Sequence, residues 1–132
     1  MQQDYIIRSI RAAAILTNAY VAGTVIGPTS DANDSVPTYN QMVLYVSFTI
    51  GSLTNGKVKV EFSHDGTTYY QETYSNVSAG VSTESLGDHT MAGTGNYRIP
   101  VPIKDNYVRI SAIGTGTVTN SSMTILAVLG VA

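Results

Sequence analysis

Hydrophobic residues recur at every second position through several stretches of this chain, the spacing of a strand that buries one face. From Lys57 to Ser63, Val58, Val60 and Phe62 fall on one side and Lys57, Lys59, Glu61 and Ser63 on the other, which predicts a half-buried antiparallel strand. His64-Asp65-Gly66-Thr67 then supplies residues that tolerate a tight turn, and Thr68 to Tyr74 is expected to return as the second arm of a hairpin with one wet face. Gln41 to Ile50 is rich in β-branched and aromatic residues, with Met42, Leu44, Val46, Phe48 and Ile50 in one phase, and is expected to be a central strand. Tyr97, Ile99, Val101 and Ile103 share one face of another strand, while Pro100 and Pro102, which cannot donate to a ladder, mark it as an edge or a bulged strand.

Lys104-Asp105-Asn106 turns the chain into Tyr107 to Ile113, and Gly114-Thr115-Gly116-Thr117 separates that strand from the last, Met123 to Gly130. The C-terminal third therefore reads as a β-meander. Near the N-terminus, Ile6, Ile10, Ala13 and Thr17 also fit a helical face and three consecutive alanines favour one. Because Thr17 to Gly23 reads as a turn between two short strands, that region is assigned to strand. Gly27 to Thr38 and Ser75 to Asn96 read as loops, and a loop as long as the second is expected to be an exposed arm or contact surface. The fold class expected is all-β: residues 1–132 as one two-sheet antiparallel β-sandwich of about 7–8 strands, jelly-roll or immunoglobulin-like in connection order.

Composition narrows the partners more than the fold. A chain of 132 residues suffices for one core, and 43% hydrophobic with 12% charged residues, against a usual charged fraction of roughly a quarter, argues against disorder. The seven Lys and Arg are outnumbered by nine Asp and Glu and nowhere cluster, so direct nucleic-acid binding is not expected. Cysteine is absent, which removes disulfides, thiolate nucleophiles and zinc–sulfur sites together. Met1-Gln2-Gln3-Asp4 lacks the basic start and apolar run of a secretory signal, so an intracellular product is expected. No apolar stretch reaches the roughly 18–20 residues of a membrane span, so no membrane partner is expected either.

Candidate chemistry is sparse. The histidines, His64 in the expected turn and His89 in the glycine-containing stretch, lie in no nucleophile motif and are expected to be solvated; no catalytic, cofactor or metal residue is assigned. Asp31-Ala32-Asn33-Asp34-Ser35 has oxygen ligands but not the spacing of a calcium loop, and reads as a turn. Glu61, Glu72 and Glu84 read as surface carboxylates, and the sequons at Asn33, Asn76 and Asn120 as chance in a Ser- and Thr-rich chain. The informative bias is nine tyrosines with no tryptophan, since tyrosine gives rigid amphipathic contact area. Of the adjacent Tyr69 and Tyr70, one should enter the core and the other stay exposed; Tyr70 and Tyr74 are expected to form an exposed stripe. The candidate protein-contact residues are Tyr69, Tyr70, Tyr74, Met91 and Tyr97.

Several stretches resemble a family. Ala19-Tyr20-Val21-Ala22-Gly23-Thr24-Val25-Ile26-Gly27 is similar to a segment of small tailed-phage structural proteins, with Thr24 where an Asp is usual. The Val58 to Tyr70 hairpin, and Tyr107-Val108-Arg109-Ile110 with its Gly-Thr turn and apolar last strand, resemble phage head-decoration (cement) and tail-associated sandwiches. The resemblance implies a virion structural protein made in the host cytoplasm and located on the capsid surface. There a dimer or trimer would bridge subunits of the major capsid protein or bind other virion proteins, with the terminal segments and the Ser75 to Asn96 arm as clasps. The tyrosine bias keeps a second expectation open, a carbohydrate- or receptor-binding module of a phage tail or fiber.

Overall fold

The structure, a computed structural model, describes residues 5–27, 41–86, 88–103 and 105–130, with the backbone alone for 73–76, 78 and 83–86. The strands are β1 (Tyr5–Ala14), β2 (Val21–Ala22), β3 (Gln41–Thr49), β4 (Leu53–Ser63), β5 (Tyr70–Gln71), β6 (Thr73–Ser78), β7 (Val81–Leu86), β8 (Asp88–Met91), β9 (Gly95–Pro102), β10 (Tyr107–Gly116) and β11 (Ser122–Gly130), and no helix occurs among the described residues. The fold is an all-β sandwich. Its first sheet is ordered β1-β11-β3-β9; its second runs β2-β10-β4, with β5 and β8 sharing the outer side of β4.

The period-two apolar residues form the layer between the sheets. Met42, Leu44, Val46 and Phe48 of β3, with Met123, Ile125, Ala127 and Leu129 of β11, join Val58, Val60 and Phe62 of β4 and Val108, Ile110 and Ala112 of β10 in one buried cluster. Burial of each Val, Leu, Ile, Met or Phe side chain in this cluster contributes about 1.5–3 kcal/mol. Gly56 is the inner-face residue of β4 beneath the Phe48 ring: a Cβ there would lie 2.7 Å from Cζ, so the sheets close over Phe48 only because Gly56 has no side chain.

Pairing decides between the two expected connection orders. β1 pairs with β11, β2 with β10, β3 with β9, and β4 with both β5 and β8. This nesting of first with last describes a long antiparallel hairpin rolled across two sheets, the order of a jelly roll. As expected, β3 is internal and the proline-bearing β9 is an edge.

Three expectations fail. The C-terminal third is not a meander: β9 and β11 lie in the first sheet and β10 in the second, because the rolled hairpin sends successive strands to opposite layers. The Ser75–Asn96 stretch is not a loop: it contains most of the β6–β7 hairpin, then β8 and the start of β9. Its polar alternation, Ser, Thr and Asn among single valines, suits a thin hairpin with little to bury, and so carries no apolar periodicity that marks a strand. Finally, Phe62 pairs with Tyr70, so the His64–Thr67 connection is a broad loop instead of a tight turn, and the returning strand breaks at Glu72. The loop expected at Gly27 to Thr38 and the turn at Asp31 to Ser35 lie, beyond Gly27, outside the described residues.

Candidate functional site

The outer faces of the two sheets are chemically opposite. On the second sheet, Glu61 of β4 is paired with Arg109 of β10, and both Nε and Nη2 of Arg109 converge on Oε1, at 3.1 and 3.0 Å. Lys59 Nζ adds a weaker approach to the same oxygen at 3.9 Å. The guanidinium lies over the Tyr69 ring, 4.1 Å from its centroid, and the Lys59 ammonium over the Tyr20 ring at 4.2 Å. Each cation is thus held between a carboxylate and an aromatic face, an arrangement that strengthens where water is partly excluded.

Tyr20 reaches over this face from the segment before β2. Burial first, then the charge of Asp88 and the hydrogen bond its hydroxyl donates to that carboxylate, and then the charge of Glu61, push its phenol up to about 12. Gln71 Nε2 also donates to Asp88 Oδ1, at 2.6 Å. Ser111, beneath this lid, is buried despite its outward phase. At one end of the sheet, Asp65 Oδ1 accepts from the backbone N–H of Thr68 and Thr67 and from Ser63 Oγ. Those bonds hold its carboxyl down at about 2. The second sheet's outer face is therefore closed by the chain's own polar side chains.

The first sheet's outer face is open and apolar. Its register aligns Ile7, Val128, Val43 and Pro100 in one row across all four strands. The row on one side is Tyr5, Gly130, Gln41 and Pro102, and on the other Ser9, Leu126, Tyr45 and Arg98. Tyr5, Ile7, Tyr45 and Leu126 remain 60, 52, 43 and 38% exposed. Four strands at about 4.8 Å spacing and three rows at about 6.6 Å give a footprint on the order of 400 Å². Eight of its twelve positions are aliphatic, proline or tyrosine, the exceptions being Gly130, Gln41, Ser9 and Arg98, and apolar patches of this order on a soluble domain are often functional. A shallow trough along its β9 edge is lined by Gln41, Val43, Arg98, Pro100 and Pro102. The strands of this sheet carry Arg8, Arg11 and Arg98 and no Lys, Asp or Glu, and of the three only Arg98 lies in an outer row, since Arg8 and Arg11 are in register with the core residues Ala127 and Ile125.

The five residues proposed from the sequence as contacts are scattered. Tyr70 is 61% exposed on β5, and Tyr69 is half-buried beneath Arg109, so the pair divides between open surface and a cation lid instead of surface and core. Tyr74 lies on β6, outside the sheet that holds Tyr70, which breaks the expected stripe; its side chain is not among those described. Met91 is no surface contact. It is 2% exposed on β8 opposite Gly56, where its flexible side chain fills the inner face beside that glycine. Tyr97 packs against the core and its hydroxyl donates to the Gly93 carbonyl at 2.6 Å. Glu61 is likewise not a surface carboxylate but a buried partner of Arg109.

Both histidines are exposed, but His89 lies on β8, paired with Val58, and not in a loop. His64 follows the far end of β4, six residues along from Val58 and so roughly 20 Å from His89. Among the described residues no group of three or more His, Asp or Glu is placed to hold a metal ion, and no helix is long and apolar enough to cross a membrane.

The apolar face was not named from the sequence, although a signal existed. β3 and β11 carry apolar residues in both phases: Val43 and Tyr45 besides the core set of β3, Leu126 and Val128 besides that of β11. Such strands read as buried on both sides, and here the second side has no covering layer among the described residues.

No family model matches the chain, and no curated protein matches it. A solved structure of Bacillus endospore appendages, described as a novel family of disulfide-linked pili, superposes over 100% of this chain and 93% of that chain, with a TM-score of 0.47 and 9% identity. The likeness is weak, and this chain has no cysteine with which to form a disulfide.

Proposed function

We propose that this protein is a non-catalytic structural subunit that adheres to other protein surfaces through the outer face of its first sheet. Its setting, on the resemblance of its segments, is a tailed-phage particle, where it decorates the capsid and bridges neighbouring subunits of the shell. The observation that carries the adhesive reading is the row Ile7, Val128, Val43 and Pro100, an unbroken apolar line across four strands on the outside of the molecule. Apolar area left in water at this density is removed at a gain of about 25 cal/mol per Å² when a partner covers it. A rigid sandwich supplies such a surface already ordered, so little conformational entropy opposes binding.

The direct test is co-sedimentation of the purified protein with expanded phage capsids lacking their decoration protein. Binding is expected, and Ile7→Glu with Tyr45→Glu should abolish it while leaving the circular dichroism spectrum unchanged. A protein that stays in the supernatant at saturating concentration refutes the capsid setting.

A second reading, a glycan- or receptor-binding module, is favoured by one feature. Tyr45 shares a shallow surface depression with Ser47, Asn96 and Arg98, an aromatic plane beside hydrogen-bonding groups. Under that reading a glycan array gives specific hits that Tyr45→Ala removes.

A further inference from the structure

The β6–β7 hairpin is a two-stranded sheet whose strands pair only with each other among the described residues. It leaves the second sheet after β5 and returns to it at β8, so it stands out from the side of the sandwich as an arm of six residues per strand, about 20 Å long. Its tip is well formed: Ala79 and Gly80 both have positive φ, 52° and 79°, the geometry of a type I′ turn that matches the strand twist. On either side of that turn Val77 and Val81 are 68 and 60% exposed. They lie on opposite faces of the hairpin, because Val77 pairs with Ser82 and Val81 with Ser78. An isolated two-stranded hairpin is marginal in water, and one with an apolar tip gains by docking.

Charge indicates what it docks on. Thr73–Leu86 carries one charge, Glu84, whereas the outer rows of the first sheet carry one of the opposite sign, Arg98, beside the trough along Val43, Pro100 and Pro102. Two such faces packed directly on each other would offer Arg98 of either copy no acid, since the outer rows hold none. An arm with exposed valines at its tip and one acid in its stem complements the face in both respects. We propose that the first sheet's outer face in one molecule is covered by the β6–β7 arm of a second copy of the same chain, so that copies associate head to tail. A heterologous contact of this kind closes into a ring if the rotation allows and otherwise extends as a chain. The inference rests on the reading of that face as adhesive and names one of its occupants.

Complementation tests it. Sedimentation velocity across a concentration series should show the wild-type chain self-associating. An arm variant, Val77→Asp with Val81→Asp, and a face variant, Ile7→Glu with Tyr45→Glu, should each self-associate at least about tenfold more weakly. All four positions are more than 40% exposed, so both variants should keep the wild-type spectrum and melting temperature. The decisive measurement is the equimolar mixture: one variant retains the face and the other the arm, so the two together should form a dimer and nothing longer. Self-association that survives in the arm variant but not in the face variant would instead mean face-to-face pairing and overturn the proposal, as would a mixture that stays monomeric. A wild-type chain that is monomeric throughout yet sediments with capsids also overturns it, while keeping the reading it rests on; head-to-tail assembly with no affinity for capsids does the reverse.

Discussion

The sheets of this sandwich contribute inward faces of the same kind, alternating aliphatic residues with a few methionines and phenylalanines, but their outward faces differ completely. On the second sheet the rings of Tyr20 and Tyr69 stack against Lys59 and Arg109, Glu61 takes up the positive charge, and Asp88 holds Tyr20 from the neighbouring edge. On the first sheet Ile7, Val43, Tyr45, Leu126, Val128 and Pro100 lie side by side with nothing over them among the described residues. The contrast teaches that an outward phase is not automatically a wet phase. One face has been closed within the chain by charge and aromatic stacking, and there substitution should cost stability. The other has no cover among the described residues, and on the adhesive reading proposed for it substitution there should cost association.

The largest effect that would break this contrast lies on the closed face. Arg109→Ala leaves the Glu61 carboxylate, only 8% exposed, with Lys59 at 3.9 Å as its cation. A loss of about 2–3 kcal/mol is expected in urea denaturation, below the range for fully buried pairs because a third of the Arg109 side chain stays in solvent. Self-association should be unchanged when measured well below the denaturation midpoint. A negligible loss would mean that the lid is ordinary surface.

Next comes the alkaline limit of the same face. Folding holds Tyr20 as the neutral phenol, raised from 10 to about 12, so its contribution is complete below pH 10 and is lost as pH rises through about 12. Absorbance at 295 nm should therefore show a late ionisation step, near pH 12, that Tyr20→Phe removes. Asp88→Asn should bring that late step down, although not to the ordinary value, since burial is the larger cause.

The smallest effect on stability is expected on the open face. Ile7→Thr should change the unfolding free energy by no more than about 0.5 kcal/mol, as is usual for exposed positions away from caps and cores. The same substitution should nonetheless weaken adhesion measurably in co-sedimentation. A large stability loss with intact adhesion would invert the roles assigned to the two sheets.

Much of the architecture was legible because alternation is a local property. Met42 to Phe48 and Val58 to Phe62 identify their own inner faces with no knowledge of partners, and Pro100 and Pro102 mark an edge because a residue without an N–H cannot sit between two strands. The hairpin at Thr73–Leu86 escaped the same logic, since its alternation is mostly polar and its formation depends on the Ala79-Gly80 turn. The contact residues escaped for a different reason. Tyrosine content suggested Tyr69, Tyr74 and Tyr97, but whether a tyrosine is a lid, a core partner or an open plane depends on which strand lies beside it.

By itself, then, the amino-acid order determined an all-β chain, the identity of the buried phase in each long strand, and a surface with little charge. Tertiary structure decided the rest: the jelly-roll nesting, the burial of Glu61 and Met91, the arm, and above all which outer face is finished and which is open. The physical reason is range. Side-chain alternation is set by bonds within one strand, whereas the covering of an outer face needs Tyr20 to meet Lys59, and Ile7 to line up with Pro100, across dozens of intervening residues that only the fold brings together.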